Sequence, residues 1–233
     1  MNDPRRYALY YAPGEDTEWA RFGAQWFANV DEAPRRYGFH ATLKAPFRLA
    51  RGASLEGLLE ELGRYCAGQR TWPMPPLKIA LLGDFLALIP EDADPRIDAV
   101  AAECVIRFDR FRAPLDERDL ARRNPERLDA DELRLLHRWG YPQVLERFRF
   151  HLSLTGPLGE TDPRRVAELT IEAGKAMDIL GRPEFDAICV FEEPQAGGDF
   201  RLVQRVPFAT PARKSARASL GTTRRHRHVI SRI

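Results

Sequence analysis

The 233-residue sequence has little cysteine and no long apolar segment. Its three cysteines, Cys66, Cys104 and Cys189, stand far apart without a Cys-x-x-Cys pair, which argues against a disulfide framework and a cysteine metal site. We therefore predict buried free thiols in a cytoplasmic protein. There is no run of about 18 apolar residues that could span a membrane, and no apolar run follows the N-terminus as in an export signal. We expect no membrane partner.

Charge is distributed unevenly along the chain. The formal net charge is +2, but residues 211–233 hold seven Lys or Arg and no acidic residue. Removing these seven from the 36 basic residues leaves 29 against 34 acidic residues in positions 1–210, a net charge of −5. The tail has the composition of a disordered segment, and its charge is able to hold nucleic acid non-specifically. We predict a single bilobal domain over 1–210 and a disordered tail over 211–233.

Histidine is also scarce, yet two of the five histidines stand in the same short motif. Residues 39–46 read Phe-His-Ala-Thr-Leu-Lys-Ala-Pro, and residues 150–157 read Phe-His-Leu-Ser-Leu-Thr-Gly-Pro. Because successive side chains of a strand point to opposite faces, each motif predicts a strand with one apolar face and one polar face. Each polar face carries a histidine and, two residues later, a hydroxyl: His40 with Thr42, and His151 with Ser153.

Each motif is followed by a helical pattern and then by two strand patterns joined at glycine. These segments lie at 55–66, 77–82 and 85–89 after the first motif, and at 163–180, 185–191 and 200–206 after the second. The duplicated β-α-β-β order predicts an α+β fold of two similar lobes, whose antiparallel sheets carry helices on their outer faces. If a pseudo-twofold axis relates the lobes, the polar faces of the motif strands meet in a central cleft.

Metal binding and a hydroxyl nucleophile are the first alternatives for the paired motifs. Zinc requires three or four ligands in close geometry, and no His-x-x-x-His, cysteine cluster or acidic partner adjoins either motif. Thr42 and Ser153 lack a Gly-x-Ser-x-Gly nucleophile elbow. Two equivalent imidazoles suit acid–base transfer at a phosphodiester, where one histidine takes a proton from the attacking oxygen and the other protonates the leaving oxygen. This chemistry requires no metal and no cofactor.

Phe-His-Ala-Thr-Leu and Phe-His-Leu-Ser-Leu resemble the paired His-x-Thr/Ser motifs of the 2H phosphoesterase superfamily. The resemblance extends from residue 5 to residue 207 and is strongest to the branch associated with phosphonate metabolism, through residues 6–10, 37–47, 111–115 and 139–142. It implies a hydrolase of cyclic phosphates in which His40 and His151 are the acid–base pair and Thr42 and Ser153 hold the phosphate. The implied substrate is a ribose cyclic phosphate, such as ribose 1,2-cyclic phosphate 5-phosphate, opened to a ribose bisphosphate.

A second phosphate on such a substrate requires additional cations. Lys44 and Arg149 share strand faces with the histidines and are the main candidates, with a surface or ion-paired role as the alternative for each. Tyr37, Tyr141 and Arg112 are further candidates from other segments. The remaining histidines are not expected to be catalytic, since one lies in a helical pattern and two lie in the tail: His137, His226 and His228.

Two other functions remain open from the sequence. A 2′,3′-cyclic phosphodiesterase or ligase acting on RNA ends would use the basic tail for non-specific affinity, although the acidic body argues against a large nucleic-acid surface. A non-catalytic protein that binds a phosphorylated ligand would need the hydroxyls and cations but not both histidines. The expected partner is therefore a small phosphorylated sugar, with nucleic acid only as the alternative substrate or as a ligand of the tail.

Overall fold

The computed structural model describes residues 5–30, 35–159 and 162–209, so the predicted tail lies outside the described residues. The helices are α1 (Glu18–Asn29), α2 (Leu55–Ala67), α3 (Pro95–Arg107), α4 (Glu117–Ala121), α5 (Ala130–Trp139) and α6 (Pro163–Met177). The strands are β1 (Arg6–Tyr11), β2 (Ala41–Phe47), β3 (Trp72–Pro73), β4 (Leu77–Leu82), β5 (Phe85–Pro90), β6 (Leu152–Ser153), β7 (Glu184–Phe185), β8 (Ala187–Glu193) and β9 (Arg201–Pro207).

Local sequence signals set many of these boundaries. Ser54 Oγ accepts a hydrogen bond from the N–H of Gly57 and caps α2. Asp129 and Glu132 form a capping box at the start of α5. The hairpin of β4 and β5 turns at Gly83, whose φ of 62° lies in the left-handed region that favours glycine. The helix starts predicted at residues 55 and 163 and the first hairpin are confirmed.

The strands form antiparallel sheets, and the α+β class is confirmed. The largest sheet has the order β2-β1-β8-β9, the second has the order β4-β5-β6, and β3 pairs with β7. Helix α2 packs against β8 and β9, α3 packs against β2, and α6 packs against β4. Each of the two larger sheets therefore carries helices, as the duplicated sequence order predicts.

The two halves of the chain exchange strands between these sheets. Strand β2, which carries most of the first motif, lies in one sheet with the β8–β9 hairpin of the second half. Strand β6, which belongs to the second motif, pairs with β5 of the first half. The β-α-β-β order is present along the chain, but each sheet combines strands of both halves.

One hydrophobic core joins the two larger sheets. It includes Leu9 and Ile188 of the four-stranded sheet together with Leu88 and Leu152 of the three-stranded sheet. The three cysteines are buried free thiols, as predicted, and burial raises the pKa of Cys66 to about 12. In the part of the chain that the structure describes, no helix has the length and apolar character needed to cross a membrane.

The second motif forms a shorter strand than its eight residues predict. Strand β6 contains two residues and lies at the edge of its sheet, where β5 is its one neighbour. The alternation of faces is nevertheless present, since Phe150 and Leu154 are buried while Arg149 is exposed and His151 is half-buried. The histidine therefore precedes the strand rather than lying within it.

Strand β2 departs from strict alternation at Leu43. Thr42 pairs with Tyr10, but Lys44 pairs with Leu9, so β2 contains one extra residue between these pairs. An extra residue in one strand re-aims the side chains that follow it. Leu43 and Lys44 are both buried as a result. This differs from the prediction that Lys44 shares the face of the first histidine.

Candidate active site

The close approach of Phe39 to helix α1 positions the first histidine. The Phe39 ring packs edge-on against Phe22 and Phe27, with ring centroids 5.6 Å and 6.1 Å apart. Gly23 leaves the space for this ring, since a Cβ added at residue 23 would lie 2.5 Å from the Cβ of Phe39. The helix and the motif thus fix the backbone directly before His40.

The imidazole of His40 is fixed on two sides. Its Nδ1–H donates to the carbonyl of Gly38 over 2.9 Å, which leaves Nε2 to face Thr42 Oγ1 at 3.4 Å. The ring of Tyr10 stacks on the imidazole with centroids 3.9 Å apart. Burial lowers the pKa of His40 to about 4, against the opposing effect of the Gly38 hydrogen bond. At neutral pH the ring is therefore uncharged and its Nε2 lone pair is available.

The imidazole of His151 is held in the same way. Its Nδ1–H donates to the carbonyl of Arg149 over 2.8 Å, and the ring lies 5.6 Å from that of Phe85. Burial lowers the pKa of His151 below its usual value of about 6.5, and a charge on His151 would lower the pKa of His40 further. In both histidines Nε2 is thus the nitrogen without a proton, and that of His40 lies 3.4 Å from Thr42 Oγ1.

Two adjoining cavities contain the motif side chains. His40 and Ser153 line a cavity of about 310 Å³, and His151 and Arg149 line a neighbouring cavity of about 390 Å³. Thr42 lines both, at their boundary. Within the described residues, no three His, Cys, Asp or Glu side chains are grouped so that they could hold a metal ion. The two imidazoles and two hydroxyls thus line two adjoining cavities that share Thr42.

The other predicted binding residues divide into two groups. Tyr37 lines the His40 cavity, and Tyr141 lines both cavities. Lys44 and Arg112 line neither cavity and are both engaged with Asp109. Their roles in substrate binding stay predictions, and the contacts of Lys44 agree with its ion-paired alternative.

Lys44 is 3% exposed, and its ammonium donates to the carbonyl of Val105 over 3.0 Å. Burial lowers the pKa of Lys44 to about 8, against the opposing charge of Asp109. The guanidinium of Arg112 donates to Asp109 Oδ1 over 2.7 Å. Asp109 therefore holds two of the cations that the sequence suggested for substrate.

Three side chains of the His40 cavity were missed by the sequence reasoning: Arg6, Tyr10 and Arg123. Arg6 and Tyr10 lie on the same face of β1, since residues two and four apart in a strand share a face. The two-residue period of β1, together with the pairing of Tyr10 and Thr42, would have indicated that Arg6 and Tyr10 face the cavity. Arg123 lies in a turn after α4, where no periodic pattern points to the cleft.

The fold and the site define a class of protein: an α+β protein whose cleft carries a duplicated His-x-Thr/Ser motif. Residues 42–201 match the family described as "Protein of unknown function (DUF1045)". The chain belongs to this family.

Curated relatives share the sequence over most of this chain. "Ribose 1,5-bisphosphate phosphokinase PhnN" of Janthinobacterium sp. (strain Marseille) is 37% identical, over 88% of this chain and 51% of the relative. The protein of the same name from Laribacter hongkongensis (strain HLHK9) is 30% identical, over 93% of this chain and 55% of the relative. The chain spans about half the length of these relatives.

Comparison with solved structures finds E. coli LigT. Its complex with 3′-AMP has a TM-score of 0.43 and 12% sequence identity, over 88% of this chain and 99% of LigT. Its complex with NADP+ has a TM-score of 0.41 and 12% identity, over 89% of this chain and 99% of LigT.

Proposed function

We propose that the protein is a metal-independent cyclic phosphodiesterase that uses two histidines for acid–base hydrolysis of a small phosphorylated sugar. The observation that carries this proposal is the matched setting of His40 and His151. Each Nδ1–H donates to a backbone carbonyl, each Nε2 is the nitrogen left without that proton, and the two rings line adjoining cavities together with Thr42 and Ser153. A cleft that served only to bind phosphate would need the hydroxyls but not this pair of oriented imidazoles.

The different environments of the histidines support different roles. His40 stacks on Tyr10, and its pKa of about 4 keeps it uncharged, so it is the proposed base for the attacking water. His151 is the proposed acid, and the negative charge of a bound phosphate raises its pKa and favours its protonated form. Water oxygen bonds to phosphorus, its proton moves to Nε2 of His40, the ring P–O bond breaks, and the leaving oxygen takes the proton from Nε2 of His151. Thr42 and Ser153 donate to the non-bridging oxygens as charge develops.

The names of the relatives support a specific substrate. They are named for a kinase of ribose 1,5-bisphosphate, but this chain spans about half of their length. The present sequence has no Gly-x-x-x-x-Gly-Lys-Ser/Thr segment, the loop that cradles nucleotide phosphates in P-loop enzymes. Hydrolysis of the P–O2 bond of ribose 1,2-cyclic phosphate 5-phosphate leaves a phosphate on C1 and yields ribose 1,5-bisphosphate. The proposed reaction therefore forms the compound that names the relatives' kinase.

Phosphorus NMR tests the proposal with two substrates in the presence of a chelator. Ribose 1,2-cyclic phosphate 5-phosphate and a nucleoside 2′,3′-cyclic phosphate are each incubated with the wild-type protein, His40→Ala and His151→Ala. His137→Ala is the matched control, because His137 is an exposed histidine of α5. We expect opening of the sugar substrate by the wild type and the control, and a loss of roughly 10²- to 10⁴-fold in each cleft variant.

Other outcomes contradict parts of the proposal. Turnover of the nucleotide alone moves the assignment to RNA ends. Full activity in either cleft variant excludes the two-histidine mechanism. If the wild type and all variants bind the substrate tightly but none turns it over, the protein is a non-catalytic binding protein. Restoration of activity by added divalent metal after chelation contradicts metal independence.

A further inference from the structure

Arg123 occupies an unusual position beside the cleft. It follows α4 and precedes a 3-10 turn at Pro125–Arg127, and its guanidinium lies over the ring of Tyr141, 4.6 Å from the ring centroid. The side chain is half-buried and lines the cavity that contains His40. The turn directly after α4 thus brings a cation to the His40 cavity from a segment outside both motifs.

Within the described residues, Arg123 has no carboxylate partner, unlike the neighbouring cations. Arg48 pairs with Asp119 at 2.7 Å, and Arg112 pairs with Asp109 at 2.7 Å. The carboxylate of Asp119 is already engaged by Arg48, and it raises the pKa of Arg123 only as a lesser effect. Burial lowers the pKa of Arg123 from its usual value, because the charged form loses contact with water.

A second guanidinium faces the same cavity. Arg6 of β1 donates through Nε to the fully buried carboxylate of Glu193, which fixes its orientation. The charge of Arg6 is thus paired with Glu193, and it lowers the pKa of Arg123 further. Tyr10 and Tyr37 line this cavity as well. Arg123 remains the cation of this cavity that has no carboxylate partner among the described residues, and a bound anion would neutralise it.

We propose that Arg123 and Arg6 form a subsite for a phosphomonoester of the substrate, at a distance from the phosphodiester that the histidines open. The place of this subsite in a reaction rests on the proposed function. The cavity of about 310 Å³ lies in the range of small-ligand sites, roughly 300–1,000 Å³. Its lining includes His40, Thr42 and Ser153 together with the two arginines. The enzyme then selects doubly phosphorylated sugars over cyclic phosphates that lack the second group.

This subsite differs from the cations that the sequence suggested. Lys44 and Arg112 are held by Asp109, while Arg149 is exposed and lines the His151 cavity. Arg123 shares the His40 cavity with the proposed base and has a planar fork of donors that matches a phosphate. It is therefore the side chain whose loss should most affect recognition of the second phosphate.

Isothermal titration with ribose 5-phosphate tests the subsite without any turnover. The proteins are the wild type, Arg123→Gln and Arg123→Lys, with Arg127→Gln as the matched control, because Arg127 is an exposed arginine of the 3-10 turn that follows. We expect Arg123→Gln to weaken binding roughly 10- to 100-fold, Arg123→Lys to weaken it less, and Arg127→Gln to bind as the wild type does. Thermal melts should show Arg123→Gln at least as stable as the wild type without ligand, because it removes an unpaired charge.

Kinetics with two substrates separate this proposal from the proposed function. The substrates are ribose 1,2-cyclic phosphate with and without the 5-phosphate. We expect Arg123→Gln to lower kcat/KM for the doubly phosphorylated substrate and leave the other unchanged. Equal binding of ribose 5-phosphate by wild type and Arg123→Gln, or equal loss on both substrates, overturns the subsite. Absence of turnover with Arg123-dependent binding overturns the proposed function and leaves the subsite standing.

Discussion

His40 and His151 make the same hydrogen bond, from Nδ1–H to the carbonyl two residues earlier in the chain. The acceptors are Gly38 at 2.9 Å and Arg149 at 2.8 Å. Gly38 has a φ of 70°, whereas Arg149 has a negative φ, so the two backbone turns differ in conformation. The two imidazoles are nevertheless held by the same hydrogen bond. The shared bond fixes the tautomer of both rings and exposes the same nitrogen to the cleft.

The pH profile should reflect the low pKa values of this pair. The base must be uncharged, so kcat/KM rises with pH through the pKa of His40, about 4. The acid must be protonated, so kcat/KM falls as pH passes the pKa of His151, which burial lowers below its usual value. We expect a bell-shaped profile with its maximum on the acid side of neutrality, and a kcat profile shifted to higher pH because bound phosphate raises both values. Circular dichroism at each pH controls for unfolding, and a profile with a single limb would contradict the mechanism.

The identity of the leaving group should distinguish the two histidines. A p-nitrophenyl phosphodiester releases a stable phenolate that needs no proton from the enzyme. We expect His151→Ala to retain most of the wild-type rate on this substrate, while His40→Ala loses roughly 10²-fold or more on it and on the sugar substrate alike. The opposite pattern would assign the base to His151.

Tyr10 should control the charge state of His40. Tyr10→Leu removes the stacked ring and admits water, so we expect the pKa of His40 to rise from about 4 towards its usual value of about 6.5. Tyr10→Phe keeps the ring and serves as the control, with an unchanged low pKa. A nitrogen NMR titration of the imidazole measures both variants. No change of pKa in Tyr10→Leu would show that the stacked ring does not keep water from the histidine.

Lys44 should affect the pH dependence of stability rather than substrate binding. The pKa of Lys44 is lowered to about 8 in the folded protein. Between about pH 8 and the pKa of the unfolded state, the unfolded chain therefore binds more protons than the folded one. The free energy of unfolding rises with pH over this window. We expect the wild type to gain free energy of unfolding relative to Lys44→Met over this range, with similar kcat/KM for both proteins. Urea unfolding at neutral and alkaline pH gives the comparison. A selective loss of kcat/KM in Lys44→Met at full stability would instead support the predicted role in substrate binding.

Gly23 should be intolerant of a methyl group although it lies in a helix. An added Cβ meets Phe39, so we expect Gly23→Ala to lose about 1–3 kcal/mol of stability and to disturb the neighbouring His40. Gly63 of α2 has nothing within 4 Å of an added Cβ, so Gly63→Ala should gain roughly 0.5–1 kcal/mol from helix propensity. Chemical denaturation of both variants measures the difference. Equal effects at the two positions would mean that Phe39 moves without cost.

Elements with local signals were predictable from the sequence. The N-cap at Ser54, the capping box at Asp129 and the turn at Gly83 each depend on neighbouring residues, and each is present. The duplicated motif also indicated the two histidines, because repetition of a polar face is visible without knowledge of the tertiary structure. Their joint role in catalysis stays a prediction.

Features that depend on pairing between distant strands could not be predicted. The extra residue in β2 is defined by its register with β1, and this register turns Lys44 towards Val105 and Asp109. The stacking of Tyr10 on His40 follows from the same pairing. Arg123 reaches the cleft from an irregular turn, where no period in the sequence relates the residue to either motif.

The exchange of strands between the halves has a consequence for the synthesis of the protein. When β1 and β2 leave the ribosome, β8, the second neighbour of β1, has not been made, and β5 later emerges before its partner β6. Sheets built from such distant partners form late and leave open edges until then. Neither half contains a complete sheet, so translation products that end before β6 should be unable to complete either of the two larger sheets. The four-stranded sheet, which includes β2 of the first motif, becomes complete only when the β8–β9 hairpin has been made.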